Sequence, residues 1–160
     1  MPANPDDFKA ALGRFASGVT VVTLGGEEDH GMTASAFCSL SLDPPLVLVC
    51  VKNGNSTHGK LLEAEGFGVS ILGADQKDLS NRFAGWGFPA DQDKWADLNI
   101  SRGAVSGAPL LPTDEADAAD ALDCWRELHS TSLPHLQEPW ASTTPWDARI
   151  GAVVVAIARV

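Results

Sequence analysis

The chain has 160 residues, of which 44% are hydrophobic and 20% are charged, a composition typical of a globular domain rather than a disordered segment. Its net charge of −10 and its pI near 4.6 argue against sequence-independent binding to nucleic acid or to anionic membranes. The N-terminal sequence lacks the apolar core of a signal peptide, and no apolar run reaches the roughly 18 residues of a membrane span. The sequence therefore predicts one domain over residues 1–160.

The chain contains three cysteines, Cys38, Cys50 and Cys124. Their odd number and their spacing argue against a disulfide framework and against a cysteine metal site. Cys38 and Cys50 lie in apolar runs, so we expect both to be small core residues. Free thiols favour a reducing compartment, and the predicted location is the cytoplasm.

The first predicted element is a helix over residues 4–17, with Asn4 as its N-cap. Phe8, Leu12 and Phe15 recur at helical spacing and therefore share one face. We expect this face to cover a sheet as a lid.

Most of the remaining chain reads as strands. β-Branched and apolar runs predict strands at residues 19–24, 36–42, 46–51, 67–72 and 150–160. The run LVLVCV at 46–51 is apolar on both faces, as in a central strand. Alternation in AFCSLSL puts Leu40 and Leu42 on one face, which we expect to supply core.

Two short helices separate these strands. The first follows a loop within residues 52–66, with Asn55 or Ser56 as its cap and Gly66 as its end. The second covers residues 74–85 and is closed by a glycine. Short helices and many strands favour an antiparallel barrel with peripheral helices over a doubly wound sheet.

Three stretches carry polar groups suited to chemistry. The first is TASAF, where small residues would let a planar ligand approach the backbone and Thr33 and Ser35 would offer hydroxyls. A tight strand crossing in a core is the alternative interpretation. The second is the helix start at Asn55, Ser56 and Thr57, whose amides and hydroxyls suit a phosphate. A simple capped helix is the alternative there.

The third stretch is Arg82-Phe83, where the arginine could pair with a phosphate and the phenylalanine could stack on a ring. A surface arginine beside a core aromatic is the alternative. None of the four histidines has metal-ligand spacing with a second ligand. No nucleotide-loop or hydrolase motif occurs.

The order of these stretches resembles the flavin reductase-like family, the small reductase components of two-component flavin monooxygenases. The resemblance is carried by FKAALGRFASGVTVVT, GMTASAFCSLSLDPPLVLVCV, NSTHGKLLEA and FGVSILGADQKDLSNRFAG. These segments cover residues 8–85 almost without interruption, and SGAPLL at 106–111 and ALDC at 121–124 also fit. Residues 125–149 do not fit.

The resemblance implies a mainly β fold, a split antiparallel β-barrel (the FMN-binding split barrel) with short peripheral helices. It implies binding of FMN or FAD, usually in a homodimer with the flavin near the subunit interface. NADH or NADPH would reduce the flavin by hydride transfer, and a partner monooxygenase would receive the reduced flavin. Because the cofactors carry this chemistry, no catalytic side chain and no metal are expected.

The family's flavin-binding positions carry over onto thirteen residues. The ring wall would be Met32, Thr33, Ala34, Ser35, Ala36, Ser39, Leu40 and Ser41; the phosphate would be held by Asn55, Ser56 and Thr57; Arg82 and Phe83 would close the far side. Replacing Ser56 and Thr57 by alanine is expected to weaken flavin affinity by roughly 1–3 kcal/mol.

One departure concerns the nicotinamide. The family's Gly-Asp-His motif, expected between Cys124 and Ile150, does not occur. Three interpretations follow: a different nicotinamide mode, a non-catalytic flavin-binding protein, or a compensated frameshift. One codon choice for WASTTPW at 140–146, read two bases on, encodes GVDHAM, and resequencing the gene tests this. A structural or interaction domain that binds no flavin is a further functional alternative.

Overall fold

The structure, a computed structural model, describes residues 4–43, 45–111, 121–126 and 153–159. The atypical segment 125–149 therefore lies outside the described residues, apart from its first two positions. None of the helices in the described ranges is long and apolar enough to cross a membrane.

Three short helices and nine strands follow one another along these ranges. The helices are α1 (Pro5–Leu12), α2 (Ser56–Glu63) and α3 (Lys77–Ala84). The strands are β1 (Thr20–Leu24), β2 (His30–Ala34), β3 (Phe37–Leu42), β4 (Pro45–Lys52), β5 (Gly66–Ile71), β6 (Ser101–Arg102), β7 (Pro109–Leu110), β8 (Ala121–Arg126) and β9 (Val153–Arg159).

Seven of the strands form one antiparallel sheet in the order β2-β1-β5-β8-β9-β4-β3, and β6 and β7 form a small second sheet. β2 and β3 lie at opposite edges of the large sheet, yet only residues 35 and 36 join them. A flat sheet would separate these edges by roughly 29 Å, whereas the link spans at most about 11 Å. The sheet must therefore curl until its edges meet.

The predicted fold class is confirmed by this arrangement: the chain is mainly β, with a split antiparallel barrel and peripheral helices. The split lies between β2 and β3, where the two edges face each other without a shared ladder in the described residues. The TASAF stretch forms the link across it.

The core lies on both faces of β1, all five residues of which are buried. On one face the main cluster is formed by Val22, Leu24, Ala34, Val47, Val49, Val51, Leu61, Phe67, Val69 and Cys124. On the other, Val21, Phe83 and Leu111 pack together beneath α3. Successive side chains of a strand point to opposite faces, so the pair Val21 and Val22 serves both clusters.

α1 is shorter than predicted and does not cover the sheet. The Asn4 cap is confirmed, because its side chain accepts a hydrogen bond from the Asp6 amide at 3.0 Å. The helix ends at Leu12, and none of its residues is buried. Phe8, Leu12 and Phe15 are 57%, 55% and 77% exposed. The prediction of a lid on this chain's own sheet is therefore wrong.

The other two helices follow their predicted caps closely. Asn55 caps α2, and Gly85 closes α3 in the left-handed region with φ of 75°. The prediction that Gly66 ends α2 is wrong, since α2 ends at Glu63 and Gly66 begins β5. A Cβ on Gly66 would lie 2.6 Å from the Cys124 carbonyl oxygen, so the strand pairing demands glycine there.

β3 departs from the predicted alternation because it is an edge strand with a bulge. Its pairing with β4 shifts by one residue between Ser39 and Ser41, which leaves Leu40 as the extra residue. Leu40 is partly exposed and Leu42 is 92% exposed, so neither supplies core as predicted. The prediction that Cys38 and Cys50 are core residues is likewise wrong.

The cysteines differ because their strands have different neighbours. Cys38 is exposed and Cys50 is half-buried, on a face of the β3–β4 hairpin outside the core cluster. Burial, and secondarily the nearby Cys38, raises the pKa of the Cys50 thiol. Cys124 lies on interior strand β8 and is fully buried.

Candidate functional site

All three predicted stretches meet at β2. Thr33 donates a hydrogen bond from its hydroxyl to the Ser80 carbonyl of α3 at 2.7 Å. Met32, on the opposite face, accepts one at its sulfur from the Asn55 side-chain amide at 3.4 Å. The start of α2 and the middle of α3 are therefore attached to adjacent residues of one short strand.

The start of α2 offers amides without partners. Asn55 accepts a hydrogen bond from the His58 amide at 2.8 Å, which caps the helix. The amides of Ser56 and Thr57 have no hydrogen-bond partner among the described residues. Since N–H groups at a helix N-terminus carry partial positive charge, these two suit an anion.

The Thr57 hydroxyl is already used in a hydrogen bond within the protein. Thr57 is only 2% exposed, and a hydrogen bond of 2.8 Å joins its Oγ1 to Nε2 of His30. Ser56, in contrast, is exposed. The hydroxyl that remains available to a phosphate at this helix start is therefore that of Ser56, and Thr57 can contribute through its amide.

The split between β2 and β3 presents small side chains. Ala34 is buried and belongs to the core, whereas Ser35 and Ala36 are exposed. The Ala36 carbonyl accepts a hydrogen bond from the Cys50 amide at 2.9 Å, which fixes the link against β4. Small exposed residues on a fixed backbone leave room for a flat ring.

The ring wall predicted on β3 has a mixed exposure. Ser39 and Leu40 are exposed, and Ser41 is half-buried and accepts a hydrogen bond from the Asp43 amide at 3.2 Å. The bulge at Leu40 turns this strand at the split, next to the TASAF link. Ser39 and Leu40 of β3 therefore join Ser35 and Ala36 of the link as exposed candidate positions for contact with the ring.

Phe83 has a packing role that corrects the predicted ring contact. It is 2% exposed, and its ring lies 4.9 Å from that of Trp95, centre to centre. A Cβ on Gly31 would lie 2.6 Å from this ring. Phe83 is thus the core aromatic of the alternative interpretation, and its ring is not available for stacking on a ligand.

Arg82, the neighbour of Phe83, is held by contacts within its own region. Its guanidinium donates a hydrogen bond to the Ala96 carbonyl at 3.1 Å and lies 5.2 Å from the centre of the Phe88 ring. These contacts use the aromatic face and one donor, and the guanidinium has further N–H groups. Its role toward a phosphate stays a prediction.

His30 is a site residue that the sequence interpretation did not select. It begins β2 and, two residues before Met32, projects from the same face of the strand. Burial, with Lys60 and Lys94 as further causes, lowers the pKa of His30. The period-two spacing from Met32 is the sequence signal that would have singled it out.

A cavity of about 340 Å³ lies beside His30, between the loop after β1 and the last turn of α2. Lys60 and Glu63 line it, and none of the thirteen predicted flavin positions does. The cavity is therefore distinct from the split and from the open amides of α2.

Comparison with known proteins decides the family. Residues 12–154 match the family described as the flavin reductase like domain. This chain is a member of that family. The family prediction made from the order of the three stretches is thereby confirmed, and the match includes both the split and the start of α2.

Individual flavin reductases extend this similarity. The chain is 40% identical over 123 residues to an NADH-dependent FAD reductase of Streptomyces globisporus, covering 77% of this chain and 65% of that protein. It is 53% identical over 79 residues to the reductase component of a 4-hydroxyphenylacetate 3-monooxygenase of Thermus thermophilus, covering 49% of this chain and 53% of that protein. The chain thus spans between half and two thirds of these relatives.

A solved structure of a flavin reductase is similar to this one. The NADH:FAD oxidoreductase of Streptomyces globisporus, in complex with NAD and FAD fragments, superposes with a TM-score of 0.72 at 29% identity. The superposition covers 99% of this chain and 82% of that one.

Proposed function

We propose that this flavin reductase-like chain is an NAD(P)H:flavin oxidoreductase that reduces FMN or FAD. The observation that carries the proposal is the meeting, on one short strand, of a small-residue split and of helix amides that have no hydrogen-bond partner among the described residues, in a chain of this family. The solved structure of a relative in complex with NAD and FAD fragments supports the pairing of the two cofactors.

The dimensions of β2 suit a flavin. Asn55 contacts Met32 within β2, and Ser35 lies three residues further along the chain, directly after the strand ends. Three residues of strand span roughly 10 Å, comparable to the five-carbon ribityl chain between a flavin's ring and its phosphate. The phosphate would lie on the amides of Ser56 and Thr57, and the ring would lie over Ser35 and Ala36.

The protein's part in this reaction is binding and orientation. The bound nicotinamide and flavin supply the hydride-transfer chemistry themselves. The exposed small residues would leave one face of the ring open for the nicotinamide, and the fixed link would hold that ring against β4. Such alignment of two reactants accounts for much of the rate in reactions of this kind.

Nicotinamide oxidation tests the activity directly. Purified protein is mixed with NADH or NADPH and free FMN or FAD, and the loss of nicotinamide absorbance is followed. Oxidation well above the uncatalysed rate is expected with at least one pair. Bound flavin without turnover would instead identify a non-catalytic flavin-binding protein, and the absence of both would leave the structural or interaction domain.

The reduced flavin is proposed to pass to a partner monooxygenase. The Thermus thermophilus relative, a reductase component of such an enzyme, supports this role. The thirteen predicted positions include few large apolar side chains that could enclose a ring, and weak enclosure suits release. Ultrafiltration of the reaction mixture under anaerobic conditions should recover reduced flavin in the protein-free filtrate.

Two further proposals concern assembly and location. We infer a homodimer, because the apolar side chains of α1 and the end of β3 are exposed in the single chain. We also infer a cytoplasmic location, which is supported by the free thiols of Cys38 and Cys50. An acidic chain of this kind is expected to bind neither nucleic acid nor membranes.

A further inference from the structure

Two side-chain pairs hold the start of α2 on β2. His30 and Thr57 form the first, with 2.8 Å between Nε2 and Oγ1. Met32 and Asn55 form the second, with 3.4 Å between the sulfur and the side-chain nitrogen. Residues 30 and 32 share one face of β2, so these pairs fix both the N-cap and the first turn of the helix.

The pair formed by His30 and Thr57 is the more enclosed of the two. Thr57 is buried and His30 is half-buried. The chain entering β2 is itself anchored, because Arg102 donates two hydrogen bonds of 2.7 Å to the Asp29 carboxylate. The backbone position of His30 is therefore fixed, and its imidazole lies opposite the first turn of α2.

Charged groups surround the exposed side of His30. Lys60 and Glu63 of α2 and Glu27 and Glu28 of the preceding loop line the adjoining cavity. Lys94, from the segment after α3, acts on His30 electrostatically. Burial and the two lysines lower the pKa of His30, so the ring is neutral at neutral pH. A neutral ring can hold Thr57 without placing a charge beside the positive end of α2.

We propose that His30 is a positioning residue for the flavin phosphate. By holding Thr57, it keeps the amides of Ser56 and Thr57 in the direction in which an anion would meet them. This role rests on the proposed function, which places the phosphate at this helix start. His30 itself touches neither flavin nor nicotinamide in this arrangement.

Flavins with and without a phosphate distinguish positioning from general support. FMN and riboflavin share the ring and the ribityl chain, so only FMN senses the α2 amides. His30→Ala is expected to raise the Kd for FMN about tenfold, the effect of one hydrogen bond. The Kd for riboflavin should stay within about twofold. Flavin fluorescence quenching measures both constants.

Matched variants separate the hydrogen bond from its surroundings. His30→Gln should restore most FMN affinity, because its amide reaches the position of Nε2, whereas the shorter His30→Asn should not. Thr57→Val should reproduce the effect of His30→Ala, and the double variant should be no worse than either. Thr23→Val is the control for loss of a buried threonine hydroxyl and should leave both Kd values unchanged.

Each contrary outcome has a separate meaning. Equal losses for FMN and riboflavin, or additive effects in the double variant, would overturn the positioning role. Wild-type affinity that is the same for both flavins would place the phosphate elsewhere and would overturn it as well. Failure of the wild type to bind any flavin would refute the proposed function, and the role of His30 with it.

Discussion

Thr23 has a buried hydroxyl with no hydrogen-bond partner, within the part of the chain that the structure describes. Folding removes this group from water without replacing its hydrogen bonds, which costs free energy. Thr23→Val keeps the branched shape and removes the hydroxyl, so we expect the free energy of unfolding to rise by about 1 kcal/mol. Urea denaturation of both proteins measures the change.

Thr20→Val is the matched control for this prediction. Thr20 is equally enclosed, but its hydroxyl donates a hydrogen bond to the Ala34 carbonyl at 2.8 Å. Its replacement should lower the free energy of unfolding by about 1 kcal/mol. Shifts of the same sign in both variants would contradict the interpretation of Thr23.

The lowered pKa of His30 predicts that the stability of the protein depends on pH. Its pKa in the folded protein is below the ordinary value of 6.5, so the unfolded chain takes up a proton first as the pH falls. The contribution of His30 to stability is therefore fully present above about pH 6.5, and it is lost as the pH falls from there through the lowered pKa. Other groups titrate as well, so the comparison must be with a variant that lacks the imidazole.

His30→Gln is that variant. The drop in melting temperature between about pH 7.5 and about pH 5 should be smaller than in the wild type. An equal drop in the two proteins would show that His30 contributes nothing to the pH dependence of stability.

Single residues could be predicted where local chemistry decides their place. Asn55 caps a helix and Gly85 closes one because each satisfies a need of its own few neighbours. The exposure of Cys38 and Leu42 could not be predicted, since it depends on which strands lie beside β3. The hydrogen bond between His30 and Thr57 joins residues 27 positions apart and has no local signal.

At the scale of elements, two glycines have opposite requirements. Gly31 in β2 leaves space for Phe83, and a Cβ there would meet that ring at 2.6 Å and Trp95 at 3.2 Å. Gly31→Ala should therefore displace α3 and lower the free energy of unfolding by about 1–3 kcal/mol. Gly59 in α2 has nothing within 4 Å of its missing Cβ.

Gly59→Ala, a substitution within helix α2, is therefore expected to have the opposite effect on stability. Alanine restricts the unfolded chain and favours helix, so stability should rise by roughly 0.5–1 kcal/mol. Chemical denaturation of both variants measures the two signs. A neutral Gly31→Ala would mean that the Phe83 ring can move aside at no cost.

The bulge in β3 shows where element prediction fails. The alternation of AFCSLSL is correct for residues 37–39, and the pairing then shifts by one residue. A bulge depends on the demands of the partner strand and of the curl in the sheet, which the alternation itself does not record. The candidate site lies at this irregularity, so its exposed positions were the hardest to predict.

At the scale of the whole molecule, the split is a consequence of topology. Residues 35 and 36 join the two edges of a seven-stranded sheet, so two small residues make the connection across the split. The sequence pattern predicts five of the nine described strands and misses β2, β6, β7 and β8, and the strand order follows from long-range pairing. The resemblance to a family implied the split barrel, and with it a reason for small residues in TASAF.

The exposed face of α1 is the whole-molecule feature that the single chain leaves unexplained. Phe8 and Leu12 lie on α1, which has no buried residue, and Phe15 lies three residues beyond its end; all three are exposed apolar side chains. We expect these side chains to pack against the second subunit of the proposed homodimer, because water contact with three large apolar side chains is unfavourable. Light scattering after size exclusion should give about twice the chain mass of 16.8 kDa.

Leu12→Glu with Phe15→Glu tests this assignment, since two carboxylates cannot be buried unpaired in such a contact. The double variant should have the mass of one chain, and its affinity for flavin should fall if the site lies near the interface. Ala10→Glu, on the opposite side of the same helix by its spacing, should leave the mass unchanged. A wild type with the mass of one chain would rule out the dimer, whereas a dimeric double variant would move the interface away from α1.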